Sequence, residues 1–486
     1  MTMDNARFEA GSAAPVTADQ IETFRDEAAF LWTQRRDALD APHYSPQQFA
    51  DLDEQLAAQI DGLVEAGDEA WPPCQAALVN DCAEDFFVAG VLALNGRPDD
   101  WLPLVRRARE APETAPGLAA ALGWVSANEA LKAEALMPAD DSLSRRLTLE
   151  AYGAHRLDAG ERWSVSMRST NAGERARALR LAGELGRVEG IEPVLGLIGD
   201  EKSEPRYWAL WSGVLLGDRG KALAALTGAA LRPGTRQMDA FRLAVLALPV
   251  QEGHRLLVEA ETMAGAARLR IIGAGLSGQL RYVPWLIDQM TTRPEAARIA
   301  LEAFCLITGA DVNTDGLEAP PPEDFEEGPN EDPEDDDVEV PVDVALPWPH
   351  VEQVRAWWLA HQSRLPALSP DGRLFIGQPL SEVHCLRVLH GGRQRARALA
   401  ALHLCLLRPG TPLFPVDAPA WRQQRLLQRL GGETEPCRSP SRSMAPSTRW
   451  CTSSATASAS RPSPTSARRR ARAAPCRSLT QTSPSP

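Results

Sequence analysis

The sequence predicts an all-α protein, a solenoid of helical hairpins about 30 residues long. Small residues recur every 29 to 31 positions down the middle of the chain. Most of them lie in apolar stretches with helical periodicity, such as LRLAGELG at 179–186 and LWSGVLLG at 210–217. Thirty residues accommodate two short helices and two turns, and stacked hairpins form a solenoid. The recurring small residues are Ala93, Gly123, Gly153, Gly183, Gly213, Ala244, Gly273 and Ala303.

Residues 75–310 are predicted to hold these repeats. Residues 174–200 show the typical unit, a first helix, a glycine-containing turn and a second helix opened by Pro193; Pro284 holds the same position three repeats later. A small residue in each first helix is expected to let neighbouring hairpins approach closely. Arginines open successive first helices, where we expect them to face solvent or pair with acids between repeats: Arg177, Arg206, Arg236, Arg268 and Arg298.

Residues 1–20 are predicted to be a flexible leader and residues 21–74 a set of capping helices at the N-terminal end. In the second helix of this set, Ser45 supplies an N-cap, Pro46 a first-turn proline and Gly67 a stop. Apolar residues recur there at three- and four-residue steps, which predicts one buried face: Phe49, Leu52, Leu56, Ile60 and Leu63.

Residues 311–347 are predicted to be an acidic disordered linker. Thirteen acids and several prolines lie between residues 318 and 343, a composition that does not support a packed core. DVNTDG at 311–316 copies the first half of an EF-hand loop, but Pro322 stands where the last calcium ligand belongs, so no calcium site is predicted. Helical patterns return in residues 348–431, which we predict to be C-terminal helical repeats.

Residues 432–486 are predicted to be a disordered tail. From Cys437 onward the tail has no acids and no Ile, Val or Phe, but many Ser, Arg and Pro residues. This composition favours an out-of-frame translation of a GC-rich gene. A basic interaction tail, centred on RPSPTSARRRAR at 461–472, is the alternative.

Charge and cysteine content narrow the classes of partner and compartment. The net charge is −14, and because residues 431–486 contribute +7, residues 1–430 carry −21. An acidic body argues against nucleic acid as a general partner. The eight cysteines form no close metal-ligand pair, and no stretch approaches the length of a membrane span. These features predict a cytoplasmic protein that does not bind a membrane.

The motif search predicts no catalytic, cofactor or metal site. IIGAGLSG at 271–278 matches GxGxxG, but it lies in register with the helical repeats, whereas a dinucleotide site needs a strand before the glycines. No HExxH, GxSxG or P-loop sequence is present. Tryptophans on the groove of a solenoid are natural anchors for a protein partner. The candidate partner-binding residues are Trp208, Trp211, Trp285, Trp357 and Trp358.

The repeats resemble short HEAT repeats of two helices. The segment EAAFLWTQRRDALDAPHYSPQQFADLDEQLAAQIDGLVEAG, followed by the repeats and AFCLITGADV, resembles a family of uncharacterised bacterial proteins that are often encoded beside type VI secretion genes. The resemblance covers roughly residues 20–430. It implies a HEAT-like α-solenoid and a protein partner, either a type VI secretion component or a toxin.

These observations favour a non-enzymatic scaffold or adaptor, expected to be an accessory or chaperone-like factor of type VI secretion. An immunity protein for a neighbouring toxin is a close variant. The alternative class is an enzyme that uses the groove of the solenoid, as HEAT-like DNA glycosylases do. A basic groove with a recessed Trp and an Asp would favour the enzyme, whereas a mixed or apolar groove would favour protein binding.

Overall fold

A computed structural model describes residues 16–263, 265–322, 325 and 343–432. By its internal contacts, the chain divides after Arg425. Within the described residues the long elements are all helices, and the strands are two-residue pairs. The fold class is therefore all-α, as the sequence predicts. The tail from residue 433 and residues 1–15 of the predicted leader lie outside the described residues.

Three helices form the N-terminal region: α1 (Ala18–Ala38), α2 (Pro46–Ala66) and α3 (Trp71–Ala77). Thr17 and Ser45 each form a capping box, with Gln20 and Gln48 respectively, which satisfies backbone N–H groups at the helix starts. Gly67 ends α2 with φ at 61°, a backbone conformation that favours glycine. The five apolar residues predicted to form one face of α2 are all buried.

The repeats follow as a run of helices from α4 to α18. We call the even-numbered helices from α4 to α18 the helix row, because each packs against the next even-numbered helix. The elements are α4 (Ala83–Leu94), α5 (Pro98–Glu110), α6 (Ala115–Trp124), α7 (Ala127–Leu136), α8 (Ser142–His155), α9 (Glu161–Met167), α10 (Ala172–Glu184), α11 (Ile191–Leu195), α12 (Ser203–Leu215), α13 (Lys221–Ala230), α14 (Gln237–Ala247), α15 (Val250–Glu259), α16 (Ala266–Ser277), α17 (Val283–Thr292) and α18 (Pro294–Thr308).

Each of the eight recurring small residues lies in a different helix of the row. A Cβ on Gly183 would lie 2.6 Å from the Trp211 ring, and one on Gly273 would lie 2.8 Å from Phe241. Both neighbours belong to adjacent helices of the row, so the absence of a side chain lets these helices approach closely. The solenoid and its HEAT-like character stay predictions.

The two ends of the predicted acidic linker are ordered. Strand β1 (Glu318–Ala319) pairs antiparallel with β2 (Trp348–Pro349), and α19 (Val351–His361) follows. Asp311 accepts a hydrogen bond from the backbone N–H of Thr314 at 2.8 Å, which fixes the turn at 311–316. The described ends thus differ from the expected disorder because backbone pairing ties them together. Residues 323–324 and 326–342 lie outside the described residues.

The remaining elements are β3 (Leu374–Phe375), which pairs with β4 (Gln378–Pro379), then α20 (Glu382–Gly391), α21 (Gln394–Leu407) and α22 (Ala420–Gly432). We call residues 372–425 the return segment, because they run back along the helix row toward the N-terminal region. The backbone N–H of Ile376 donates to Leu306, and that of Leu413 donates to Glu184 farther back along the row.

The return segment follows the C-terminal ends of the row helices. Helix C-termini leave carbonyl groups without partners inside the helix. Arg373 donates to carbonyls at the end of α14, and Arg422 donates to the carbonyls of Gly123 and Val125 at the end of α6. The helices expected in residues 348–431 are therefore present, but after α19 they run across the existing helix ends and satisfy these carbonyls.

Arg395, on α21, connects α18 with the loop between α1 and α2. Its Nη1 lies 2.7 Å from Glu302 on α18, and its Nε donates to the backbone carbonyl of Asp40 between α1 and α2. Nearby, the backbone N–H of Gln394 donates to the carbonyl of Tyr44 at 2.9 Å.

In the part of the chain that the structure describes, no helix is both long and apolar enough to cross a membrane.

Candidate functional site

Trp208 and Trp211 lie together on α12. Trp211 is 9% exposed and packs against Gly183, whereas Trp208 is half-buried. The guanidinium carbons of Arg180 and Arg236 lie 4.9 and 5.3 Å from the centre of the Trp208 ring. Trp211 is thus a core residue, whereas the Trp208 ring makes cation–π contacts with two arginines.

Trp285 and Trp357 are also half-buried. Trp285 lies on α17, 5.2 Å from the Arg270 guanidinium. Trp357, on α19, packs edge-on against Phe304 at 5.6 Å and stacks on His361 at 4.3 Å. Because α17 contacts α19, the structure brings together the helices that carry Trp285, Trp357 and Trp358. Trp208 and Trp211 lie on a different helix, α12.

Helix α19 is the least buried of these tryptophan-bearing elements. Val354 is its only fully buried residue, Trp358 is half-buried, and Leu359 is 65% exposed. We define the α19 surface as Ala356, Trp358, Leu359 and Ala360. Exposed apolar residues that lie next to aromatic rings are typical of protein-binding surfaces.

A second candidate site, which the sequence did not predict, is a cavity of about 420 Å³ between α1, α4, α6, α8, α10 and the return segment. We call it the arginine cavity. Its charged and aromatic lining residues are Arg35, Arg36, Arg156, Arg177, Arg180, Arg422, Glu150, Glu184, Asp417, Trp32, Phe87 and Trp124. Six guanidinium groups therefore face three carboxylates, although the whole chain carries a net charge of −14.

A buried ion-pair cluster forms one wall of the arginine cavity. Arg177 is 6% exposed; its Nη2 lies 2.9 Å from Glu184 Oε2 and its Nε 2.6 Å from Glu150 Oε2. Arg180 Nε lies 2.8 Å from the other Glu184 oxygen. Burial alone would raise the pKa of the Glu184 carboxyl, but Arg177, Arg180 and nearby Arg156 lower it to about 2. Glu184 is therefore ionised at neutral pH.

Gly153 makes room for this cluster. A Cβ at this position of α8 would lie 1.9 Å from Arg177 Nη2 and 2.8 Å from Glu184 Oε2. These distances are far below contact distance, so any side chain would displace the guanidinium. The absence of a side chain at Gly153 thus leaves space for the ion pair between Arg177 and Glu184, in addition to allowing close helix packing.

Other arginines of the cavity lining bind carbonyl groups instead of acids. Arg156 Nε donates to the Leu413 carbonyl at 2.9 Å, and Arg422 Nη1 donates to the Gly123 carbonyl at 2.8 Å. Arg36 is exposed and lies 5.2 Å from the centre of the Trp32 ring. Among the described residues, none of these three arginines forms an ion pair with an acid. Burial, with nearby Arg425, lowers the pKa of Arg422 to about 10, so it stays charged at neutral pH.

The aromatic rings of the arginine cavity pack mainly on one another. Trp32 stacks on Phe87 at 5.5 Å, and Phe87 meets the edge of Trp124 at 5.9 Å. Trp124 in turn packs edge-on against Trp421 of the return segment at 4.8 Å. The rings thus form an aromatic wall of the cavity, which packs against the return segment through Trp421.

Sequence reasoning missed this cavity because its arginines are far apart in the chain. Arg156 and Arg422 are 266 positions apart and meet only because the return segment runs back along the helix row. The one available signal was local: Arg35 and Arg36 lie in the last turn of α1, where cations favourably face the helix C-terminus.

The glycines of the GxGxxG match lie on a helix. Gly273 and Gly275 are inside α16, and Gly278 ends it with φ at 65°. A Cβ on Gly275 would lie 2.8 Å from Ala303, so this glycine serves helix packing. Across the described ranges, no group of three or more His, Cys, Asp or Glu side chains is placed to hold a metal ion.

Comparison of the sequence with models of known protein families and with curated proteins gives no match. The resemblance to HEAT repeats and to proteins encoded beside type VI secretion genes therefore stays a prediction.

Proposed function

We propose that the protein is a non-enzymatic scaffold or adaptor that binds another protein on the α19 surface. The observation that carries this proposal is a helix with one fully buried residue, two half-buried tryptophans and an exposed leucine. Aromatic side chains that are held in place by a core, with an apolar neighbour exposed, supply binding energy at little entropic cost. Two of the five predicted partner-binding residues, Trp357 and Trp358, lie on this helix.

The acidic sequence that precedes α19 favours a partner with basic residues at the edge of its contact surface. The sequence places thirteen acids in residues 318–343, directly before α19. Complementary charge speeds association and selects partners. The resemblance to proteins encoded beside type VI secretion genes supports a cytoplasmic accessory or chaperone-like role, with a secretion component or a toxin as partner. An immunity protein for such a toxin is the close variant.

The test is affinity capture from the source cytoplasm with the full chain, followed by binding measurements with the purified partner. Leu359→Asp is the test variant, and Val165→Asp is its control, since Val165 is also half exposed but lies on α9. Burial of a leucine contributes about 1.5–3 kcal/mol, so Leu359→Asp should raise Kd about 10- to 100-fold. Equal affinities for wild type and both variants would contradict the α19 surface as the binding site.

An enzyme that uses a groove is the second candidate. The arginine cavity has the three features expected of such a groove: basic charge, a recessed tryptophan and an aspartate. The cavity is basic, Trp32 and Trp124 are recessed in it, and Asp417 lies on its lining. Excision of an alkylated base from a DNA duplex by the wild type, with loss of activity in Asp417→Asn, would favour this function. The ring packing weighs against it, since Trp32 stacks on Phe87 and the Arg36 guanidinium lies against it as well.

A further inference from the structure

We propose that the arginine cavity binds the oxyanion group, phosphate or carboxylate, of a small organic ligand. This site is separate from the α19 surface and does not depend on the scaffold function. Three independent features of the cavity support it: an excess of positive charge, guanidinium N–H groups without partners, and a volume suited to a small molecule.

The excess charge lies on identified residues. Glu150 and Glu184 are already paired with Arg177 and Arg180. Arg36, Arg156 and Arg422 form no ion pair within the described part of the chain. Arg35 pairs with Asp53, and Asp417 also lies on the lining, so with Asp53 included six arginines face four carboxylates and an excess of two positive charges remains. Electrostatic attraction in a partly enclosed site is stronger than in bulk water, so a small anion gains more here than on the open surface.

Two arginines of the lining, Arg177 and Arg156, have guanidinium donors that no protein group in the described structure accepts from. Arg177 Nη1 is buried and has no hydrogen-bond partner among the described residues. Arg156 donates through Nε and Nη1, which leaves its Nη2 without a protein acceptor in the described structure. Guanidinium groups are planar donors that match the oxygens of phosphate and carboxylate. A bound oxyanion would therefore satisfy donors that the protein itself leaves unsatisfied.

The cavity volume indicates the class of ligand. About 420 Å³ falls in the range of small-molecule sites. Such a volume exceeds what one phosphate group needs, and Leu39, Pro116 and Ala119 supply an apolar part of the lining. The ligand class is thus a small organic phosphate or polycarboxylate, with its anionic group near the arginines and its carbon skeleton on the apolar wall.

The probes are inorganic phosphate and citrate, added to the full chain at constant ionic strength with chloride as the reference. Isothermal titration calorimetry and thermal unfolding should show saturable binding, and the stronger probe identifies the preferred anion. Arg36→Ala should weaken binding about tenfold and should fold normally, because Arg36 is exposed and donates no hydrogen bond in the described structure. Arg156→Gln should weaken binding at least as much. Arg293→Ala, exposed and outside the cavity lining, should leave binding unchanged.

Three results would overturn the proposal. The first is that neither probe binds, which would mean that the arginines serve only to satisfy carbonyls at the helix ends. The second is equal binding by wild type, Arg36→Ala and Arg156→Gln, which would place the anion elsewhere. The third is that a DNA oligonucleotide binds through the same arginines while phosphate and citrate do not, which would assign the cavity to nucleic acid.

Discussion

Gly153→Ala tests whether the recurring small residues have distinct structural roles. The new Cβ would lie 1.9 Å from Arg177 Nη2, so the guanidinium must withdraw by about 1 Å to reach even 3.0 Å. Arg177 is held by Glu150 and Glu184 in a buried cluster, so its displacement disturbs both ion pairs. Gly123→Ala is the matched control, one repeat earlier in the row, because its Cβ would meet only the Ala154 Cβ at 3.4 Å.

The expected magnitude follows from two opposing terms. Replacing a helical glycine with alanine stabilises by up to about 1 kcal/mol, and this gain applies to both variants. Breaking a buried ion pair costs about 3–5 kcal/mol, so a partial displacement of Arg177 from its two ion pairs should cost about 2–4 kcal/mol. We expect Gly153→Ala to lose about 1–3 kcal/mol of unfolding free energy and Gly123→Ala to be neutral or slightly stabilised.

The assay is urea unfolding followed by far-ultraviolet circular dichroism, with the variants compared at the same pH and salt concentration. The difference between the two variants isolates the contact at Arg177, because the gain in helix propensity is common to both. Equal unfolding free energies for Gly153→Ala and Gly123→Ala would refute the role of Gly153 in accommodating the ion pair.

Two further variants test the return segment. Asp53 is fully buried on α2, where it accepts hydrogen bonds from Arg35 Nε and from the backbone N–H of Ala420. Asp53→Ala should cost about 3–5 kcal/mol of unfolding free energy in urea, whereas the exposed Asp51→Ala should cost under about 0.5 kcal/mol; equal losses would contradict the docking role of Asp53. Burial, aided by Arg373, lowers the pKa of His403 to about 3, so the folded state holds it neutral while the unfolded state binds a proton below about pH 6.5. Stability should therefore fall as pH drops from 6.5 toward 3, less steeply in His403→Gln by up to about 1.4 kcal/mol per pH unit; an unchanged slope in urea titrations would contradict this role for His403.

The sequence was sufficient for the elements whose signals are local. The 30-residue spacing predicted the helices of the row, because small residues recur wherever one helix must approach the next. The N-cap at Ser45 and the stop at Gly67 bound α2 as expected, since both depend on neighbours within a few residues.

The return segment could not be predicted, because its contacts join distant positions. The hydrogen bond from Leu413 to Glu184 and those of Arg422 use backbone carbonyls, which have no sequence signature. Several arginines were expected to face solvent or pair between repeats. Arg236 pairs with Glu204 and Arg177 pairs with Glu150, each in the preceding repeat, as expected, but Arg177 is buried. Arg268 instead pairs with Asp343, which lies 75 positions later in the chain. Their environments depend on segments that only the tertiary fold brings near.

Hydrogen–deuterium exchange of the full chain, free and saturated with the purified partner, tests the proposed binding surface most directly. Amide protection reports burial and hydrogen bonding element by element. Binding at the α19 surface predicts slower exchange across residues 351–361 in the complex, with unchanged exchange in α6 and α8, which line the arginine cavity. Slower exchange confined to α6 and α8, with none across residues 351–361, would contradict it.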